Sequence, residues 1–188
     1  MERLICGVDE VGRGCLSGPV MAAAVILPDG FASPLIKDSK KLSPAQREKA
    51  YDLILEKALY VSSAFVDEKT IDEVNILNAT FMAMDKAIRG LLVRPDFLYI
   101  DGDRFPGYED VPHDSIIKGD SLVPCISAAS IVAKVRRDRL MRELAQFLPG
   151  YGWETNAGYG TKEHMEAIKK LGLTAHHRKT FCKKFTHE

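Results

Sequence analysis

An α/β architecture, a sheet covered by helices, is predicted by three features of this 188-residue sequence. Leu4–Val8 and Phe97–Ile100 are apolar runs without period-2 alternation, which fits strands buried on both faces. Between them, Ser43-Pro44-Ala45-Gln46 combines a capping box with proline at the first helical position. Ile71, Val74, Leu77, Phe81, Met84, Ile88 and Leu91 step by three and four, an amphipathic stripe that packs on a core.

The elements follow in order. The first strand ends in Asp9-Glu10 and runs into Gly12-Arg13-Gly14. A buried strand delivers its last residues to the sheet edge where α/β proteins bind ligands, so Asp9 or Glu10 is expected at a site. An isolated Asp-Glu pair usually faces solvent. Here the flanking glycines, which tolerate positive φ and close approach, weigh toward a site. Pro19–Leu27 reads as a second strand closed by Pro28-Asp29-Gly30, and the first two strands are expected to pair as a hairpin. A polar loop, Asp38-Ser39-Lys40-Lys41-Leu42, leads to a helix ending near Ala58. Leu59–Val66 is rich in β-branched and aromatic residues and reads as a third strand. A second capping box at Thr70–Glu73 opens one long helix carrying the stripe.

Phe97–Ile100 ends in Asp101-Gly102, which supplies a third acid, and Ser115–Gly119 is expected to be another short strand ending in a fourth, Asp120. Ser121 is expected to cap a helix from about Val123 to Phe147, stopped by Pro149-Gly150. A glycine- and aromatic-rich loop spans Tyr151–Tyr159, Thr161 caps a helix to about Leu171 with Gly172 after it, and a basic segment covers His176–Phe181.

Composition narrows the function classes. A hydrophobic share of 46% with 28% charged residues is that of an ordinary globular domain, and the length suits one domain. No run approaches the ~18 apolar residues of a membrane span, and no export signal precedes the first strand. The four cysteines lack C-x-x-C spacing, which disfavours zinc and fits reduced thiols in the cytoplasm. Net charge is zero, yet residues 134–188 carry 12 Lys and Arg against 6 Asp and Glu, and the rest carry 14 against 20. That polarity suggests an acidic, cation-binding part and a basic, anion-binding part. The basic cluster Lys134, Arg136, Arg137, Arg139 and Arg142 reads equally as a solvated helix face.

Strand ends lying side by side would gather Asp9, Glu10, Asp101 and Asp120. Carboxylates that close repel and raise one another's pKa unless hard divalent ions such as Mg²⁺ or Mn²⁺ bridge them through oxygen. An open, all-oxygen cluster suits two-metal phosphoryl transfer. Competing motifs fail. Gly12–Gly18 is G-x-G-x-x-x-G followed by a strand-like run, where a dinucleotide site needs a helix. Asp101-Gly102-Asp103 begins like a calcium loop, but Gly107 falls one place late and Pro112 stands where a bidentate glutamate is required.

The segments Gly7-Val8-Asp9-Glu10-Val11-Gly12-Arg13-Gly14, Asp38–Leu42, Tyr99-Ile100-Asp101-Gly102, Lys118-Gly119-Asp120 and Ser127–Lys134 resemble bacterial ribonuclease HII. Asn75–Thr80, Gly158–His164 and His177-Arg178 fit in order, so the resemblance covers nearly the whole chain. It implies a single ribonuclease H-like domain over 1–188, a mixed β-sheet flanked by helices, with a helical, substrate-binding C-terminal part from about 150. It implies a monomeric endonuclease, not associated with membranes, acting on RNA–DNA hybrids and on duplex DNA with embedded ribonucleotides. The products would be 5′-phosphate and 3′-hydroxyl ends, and Asp9, Glu10, Asp101 and Asp120 would hold two Mg²⁺ or Mn²⁺ ions. Gly12, Arg13 and Gly14 would read the ribose 2′-hydroxyl, and Tyr159 would stack under the next sugar. That division suits the chemistry, since the 2′-hydroxyl is what separates RNA from DNA. Lys40, Lys41, Lys134 and Arg178 become candidate phosphate contacts. Cys15, Ser17 and Gly160 depart from the family pattern, and Gly160 is expected to loosen the Tyr159 loop. Another carboxylate-metal nuclease, such as a 3′–5′ exonuclease, and a non-catalytic nucleic-acid-binding protein are the alternatives.

Overall fold

The computed structural model describes residues 3–36 and 39–185; Asp38 of the polar-loop motif lies outside them. Five strands, β1 (Ile5–Val11), β2 (Val20–Ile26), β3 (Tyr60–Val66), β4 (Phe97–Asp101) and β5 (His113–Ile116), form one sheet in the order β3-β2-β1-β4-β5. The sheet is mixed. β1 and β2 pair antiparallel as expected, as do β2 and β3, whereas β1–β4 and β4–β5 are parallel.

Helices cover both faces, which explains the non-alternating strands. Cys6, Val8, Ala22 and Ala24 meet Ala79, Ala83 and Ala87 of α3 (Ile76–Arg89) on one side. On the other, Ala23 and Val25 meet Ala128, Ala129 and Val132 of α5 (Pro124–Phe147), with α1 (Pro44–Lys57) outside it. The small residues of α5 let it lie close to β1. A Cβ at Gly7 would stand 2.2 Å from the Cys125 carbonyl carbon. The capping box at Ser43 forms as expected, its hydroxyl accepting from the Gln46 amide.

Several boundaries differ from expectation. The helix after β3 starts earlier, capped by Asp67, whose carboxylate accepts from the Thr70 amide. It also breaks in two, α2 (Glu68–Val74) and α3, because Asn75 takes φ 68° and caps α3 through the amides of Leu77 and Asn78. The apolar stripe continues across the break, so periodicity alone does not reveal it. β5 ends at Ile116, and Asp120 sits instead in the short helix α4 (Gly119–Leu122). Ser121 lies within α4, and α5 begins after Val123 without a side-chain cap. Beyond α5, α6 (Trp153–Asn156), α7 (Lys162–Leu171) and α8 (Lys179–Cys182) build a third apolar cluster with Leu16 and Met141. Among the described residues no helix is long and apolar enough to cross a membrane, and all four cysteines are buried and unpaired.

The close approach of β1 and α5 leaves no room for a side chain at position 7. Gly7→Ala forces strand and helix apart, an overpacking cost of about 1–3 kcal/mol. At ~2–4 °C per kcal/mol for a chain of this size, calorimetry should record a melting temperature lower by roughly 2–12 °C.

Candidate active site

Parallel pairing places the ends of β1 and β4 side by side. Val8 lies opposite Ile100, so Asp9 and Asp101 follow at adjacent positions. β5 continues the parallel order, and the turn after it swings α4 back, with the Asp120 amide donating to Asp101 Oδ1 at 3.1 Å. Ser127 of α5 fixes α4 by donating to the Asp120 carbonyl at 2.6 Å. Asp9 and Asp120 are each only 4% exposed. Asp9, Glu10 and Asp101 share a cleft of about 270 Å³ with Ser39, Lys40, Ser130, Lys134 and Tyr159.

The electrostatics are those of crowded acids. Burial, then the charges of Glu10 and Asp101, hold the Asp9 carboxyl well above its usual range. Glu10 is raised mainly by burial, with Arg13 opposing at 3.4 Å. Asp101 is raised by burial and by the Asp120 charge, partly offset by the Asp120 amide. Among the described residues no three or more His, Cys, Asp or Glu side chains converge closely enough to form a finished metal cage. Asp120 nonetheless engages a cation, the Lys40 ammonium at 3.2 Å.

Not every basic candidate faces the cleft. Arg178, expected at a phosphate, is fully buried, and this corrects the reading of it as a direct contact. Its guanidinium donates to the carbonyls of Gly12 (2.7 Å), Arg13 (2.8 Å) and Gly18 (2.8 Å), and burial pulls its pKa down to about 10. Lys134 pairs with Asp138 at 2.9 Å and lies 5.6 Å from the centre of the Tyr159 ring. Lys40 and Lys41 form a short exposed turn. Tyr159 is 38% exposed, with its hydroxyl pushed up to about 12 chiefly by burial.

One residue that shapes the candidate site escaped the sequence reading. Arg137 is fully buried and donates to the carbonyls of Pro19 (2.8 Å), Ser17 (3.0 Å) and Ala157 (2.8 Å), joining the Gly12–Gly18 turn to the Tyr159 loop. Helical phase carried the signal: position 137 falls four after buried Ala133 and four before buried Met141. Gly12, with φ +90°, packs on this arginine, and a Cβ there would stand 2.2 Å from Nε. Gly14 has open space within 4 Å. Gly160 faces Leu16, where a Cβ would lie 3.1 Å away.

The profile described as Ribonuclease HII matches residues 6–186. The chain belongs to the ribonuclease HII family. A ribonuclease HII from Ruegeria pomeroyi is 53% identical over 177 residues, covering 94% of this chain and 75% of that protein. The crystal structure of ribonuclease H2 from Pyrococcus horikoshii OT3 superposes with a TM-score of 0.80 at 28% identity over 96% of each chain. The Mn²⁺ complex of Bst-RNase HIII shares the fold, with a TM-score of 0.71 at 19% identity over 90% of this chain and 61% of that one. As a ribonuclease HII the chain is an endoribonuclease of the ribonuclease H type, a hydrolase acting on RNA–DNA hybrids, in a family that uses divalent metal ions.

The two glycines of the turn should therefore behave differently. Gly12→Ala drives a methyl group into Arg137 at a positive φ, and should destabilise the protein by more than ~1 kcal/mol. Gly14→Ala should stay within the ~0.5 kcal/mol typical of surface changes, with its defect confined to substrate. Denaturant titration of both variants, beside cleavage kinetics, checks the contrast.

Proposed function

We propose that this ribonuclease HII cuts the RNA strand of RNA–DNA hybrids and nicks duplex DNA on the 5′ side of single embedded ribonucleotides, leaving 5′-phosphate and 3′-hydroxyl ends. The observation that carries the reading is the meeting of Asp9, Glu10 and Asp101 in one cleft with Asp120 beside them. The donor set fits two Mg²⁺ or Mn²⁺ ions: it is all oxygen, three of its carboxyls have raised proton affinity, and the fourth already accepts an ammonium. Asp9, Glu10, Asp101 and Asp120 would hold the ions, which supply a water-derived nucleophile and charge for the leaving oxygen.

The chain's own groups do the recognising. The C=O and N–H of a trans peptide point in opposite directions. Arg178 draws the carbonyls of Gly12 and Arg13 inward, so the amides of Arg13 and Gly14 point away from it. Both residues are exposed, which leaves two donors for a ribose 2′-hydroxyl with no Cβ at Gly14 to block approach. Tyr159 offers its ring to the sugar on the 3′ side, and Lys40, Lys41 and Lys134 meet phosphates, Lys134 exchanging Asp138 for one. In this reading residues from about 150 onward are the substrate-binding part of one domain, anchored through the third apolar cluster.

A closed circular duplex carrying one ribonucleotide provides the test. The wild-type chain should nick it with Mg²⁺ or Mn²⁺, and Asp101→Asn should cut at least ~100-fold more slowly with its melting temperature maintained, since it removes ligand charge and little packing. An exonuclease would leave the circle intact. The rate should fall as pH drops through the raised titrations of Asp9, Glu10 and Asp101. The sign follows because protonation removes the charge that a cation needs, so cation binding must release protons. A rate that rises on acidification would contradict the assignment.

A further inference from the structure

Behind the cleft lies a buried polar network that the chemistry above does not use. His164 of α7 is fully buried, and its two ring nitrogens bond in opposite directions. Nδ1 lies 2.9 Å from the Tyr159 carbonyl. A carbonyl only accepts, so Nδ1 carries the proton. Nε2 lies 3.1 Å from the Trp153 indole nitrogen, which only donates, so Nε2 presents its lone pair. Ser17 Oγ at 3.2 Å and His177 Nε2 at 3.3 Å crowd the same lone pair. His177 is fixed likewise: its Nδ1 accepts the Thr174 amide at 2.9 Å, which puts its proton on Nε2, facing His164. Both rings are therefore neutral, in keeping with burial, which lowers both pKa values and brings His177 to about 4.

A ring that only filled space would be better apolar, because each buried polar nitrogen must be matched. What is informative is what the nitrogens join. Ser17 belongs to the turn that carries Gly12–Gly14, Tyr159 is the proposed sugar platform, and the two are held on opposite edges of one imidazole. The amides of Leu16 and Ser17 also donate to the Gly158 carbonyl at 2.8 and 3.3 Å, so His164 braces a contact that the backbone already makes. Tyr151 stacks on Trp153 at 5.1 Å between centroids and closes the network from outside.

We infer that His164 is a positioning residue: it stiffens the spacing between the Gly12–Gly18 turn and Tyr159 that the backbone sets, and through that spacing sharpens the preference for a ribonucleotide followed by a deoxyribonucleotide. This rests on the reading of Tyr159 given above. The quantity that responds is a ratio, kcat/KM for a lone ribonucleotide in duplex DNA over kcat/KM for continuous RNA on DNA. Loss of core packing alone lowers both and leaves their ratio.

The experiment measures that ratio, with Mg²⁺, for the wild type, Tyr159→Ala, His164→Phe and His164→Asn. His164→Phe keeps the ring and loses both nitrogens; the ratio should fall about fivefold, the worth of one lost hydrogen bond of ~1 kcal/mol. His164→Asn retains a donor near the Nδ1 position and should recover most of the ratio. Trp153, the sole tryptophan, should report loss of its acceptor as a changed emission spectrum in His164→Phe. If Tyr159→Ala lowers the ratio and neither His164 variant does, the positioning role is overturned and the Tyr159 reading stands. If Tyr159→Ala leaves the ratio unchanged, that reading fails and this inference falls with it. Should His164→Phe not fold, the Asn variant decides alone: a ratio as low as that of Tyr159→Ala would refute the bridge through Nδ1.

Discussion

Two guanidinium groups buried among carbonyl oxygens set the shape of the turn and loop beside the clustered acids. A buried charge is tolerated only when hydrogen bonds replace the lost water, and Arg137 and Arg178 obtain them from the main chain at residues 12, 13, 17, 18, 19 and 157. Turning so many carbonyls toward two points leaves the chain little freedom in where its amides point. The positive φ of Gly12, its intolerance of a side chain and the seating of Gly158 under Ser17 follow from that arrangement.

The sheet and its acids were legible because strand burial and strand ends leave marks on a sequence. Runs without alternation reported helices on both faces, and Asp9 and Asp101 closing two such runs reported neighbouring strand ends. Asp120 comes beside the other acids by a route the sequence did not suggest, from α4, one turn after its strand. The break at Asn75 was invisible to periodicity, because the buried face resumes in phase on the far side. Basic residues were the hardest to place. One sequence does not distinguish an arginine aimed at phosphate from one aimed at carbonyls, and Arg178 proved to be the second kind. For Arg137 the distinction was available in helical phase, yet its neighbours Arg136, Arg139 and Arg142 made it look like one more member of a solvated cluster.

Charge separation along the chain also acquires a physical meaning. The acidic first part supplies the clustered carboxylates, and the basic last part supplies Arg137, Lys134 and Arg178, of which only Lys134 lines the cleft. The excess of positive charge after residue 133 thus divides between organising the backbone and lining the cleft, and the segment's net charge overstates the number of cations that face it.

The bond between Arg178 and Gly12 spans 166 residues of sequence. During synthesis the chain emerges N-terminus first, at ~5–20 residues per second, so β1 and its acids exist for several seconds before the arginine that shapes the turn beside them. Long-range closure of this kind is also slow in its own right. A growing polypeptide therefore has its first strand long before the bond that fixes the turn after it can form. The geometry of the turn is thus completed by a residue far from it in sequence and buried beneath it in space.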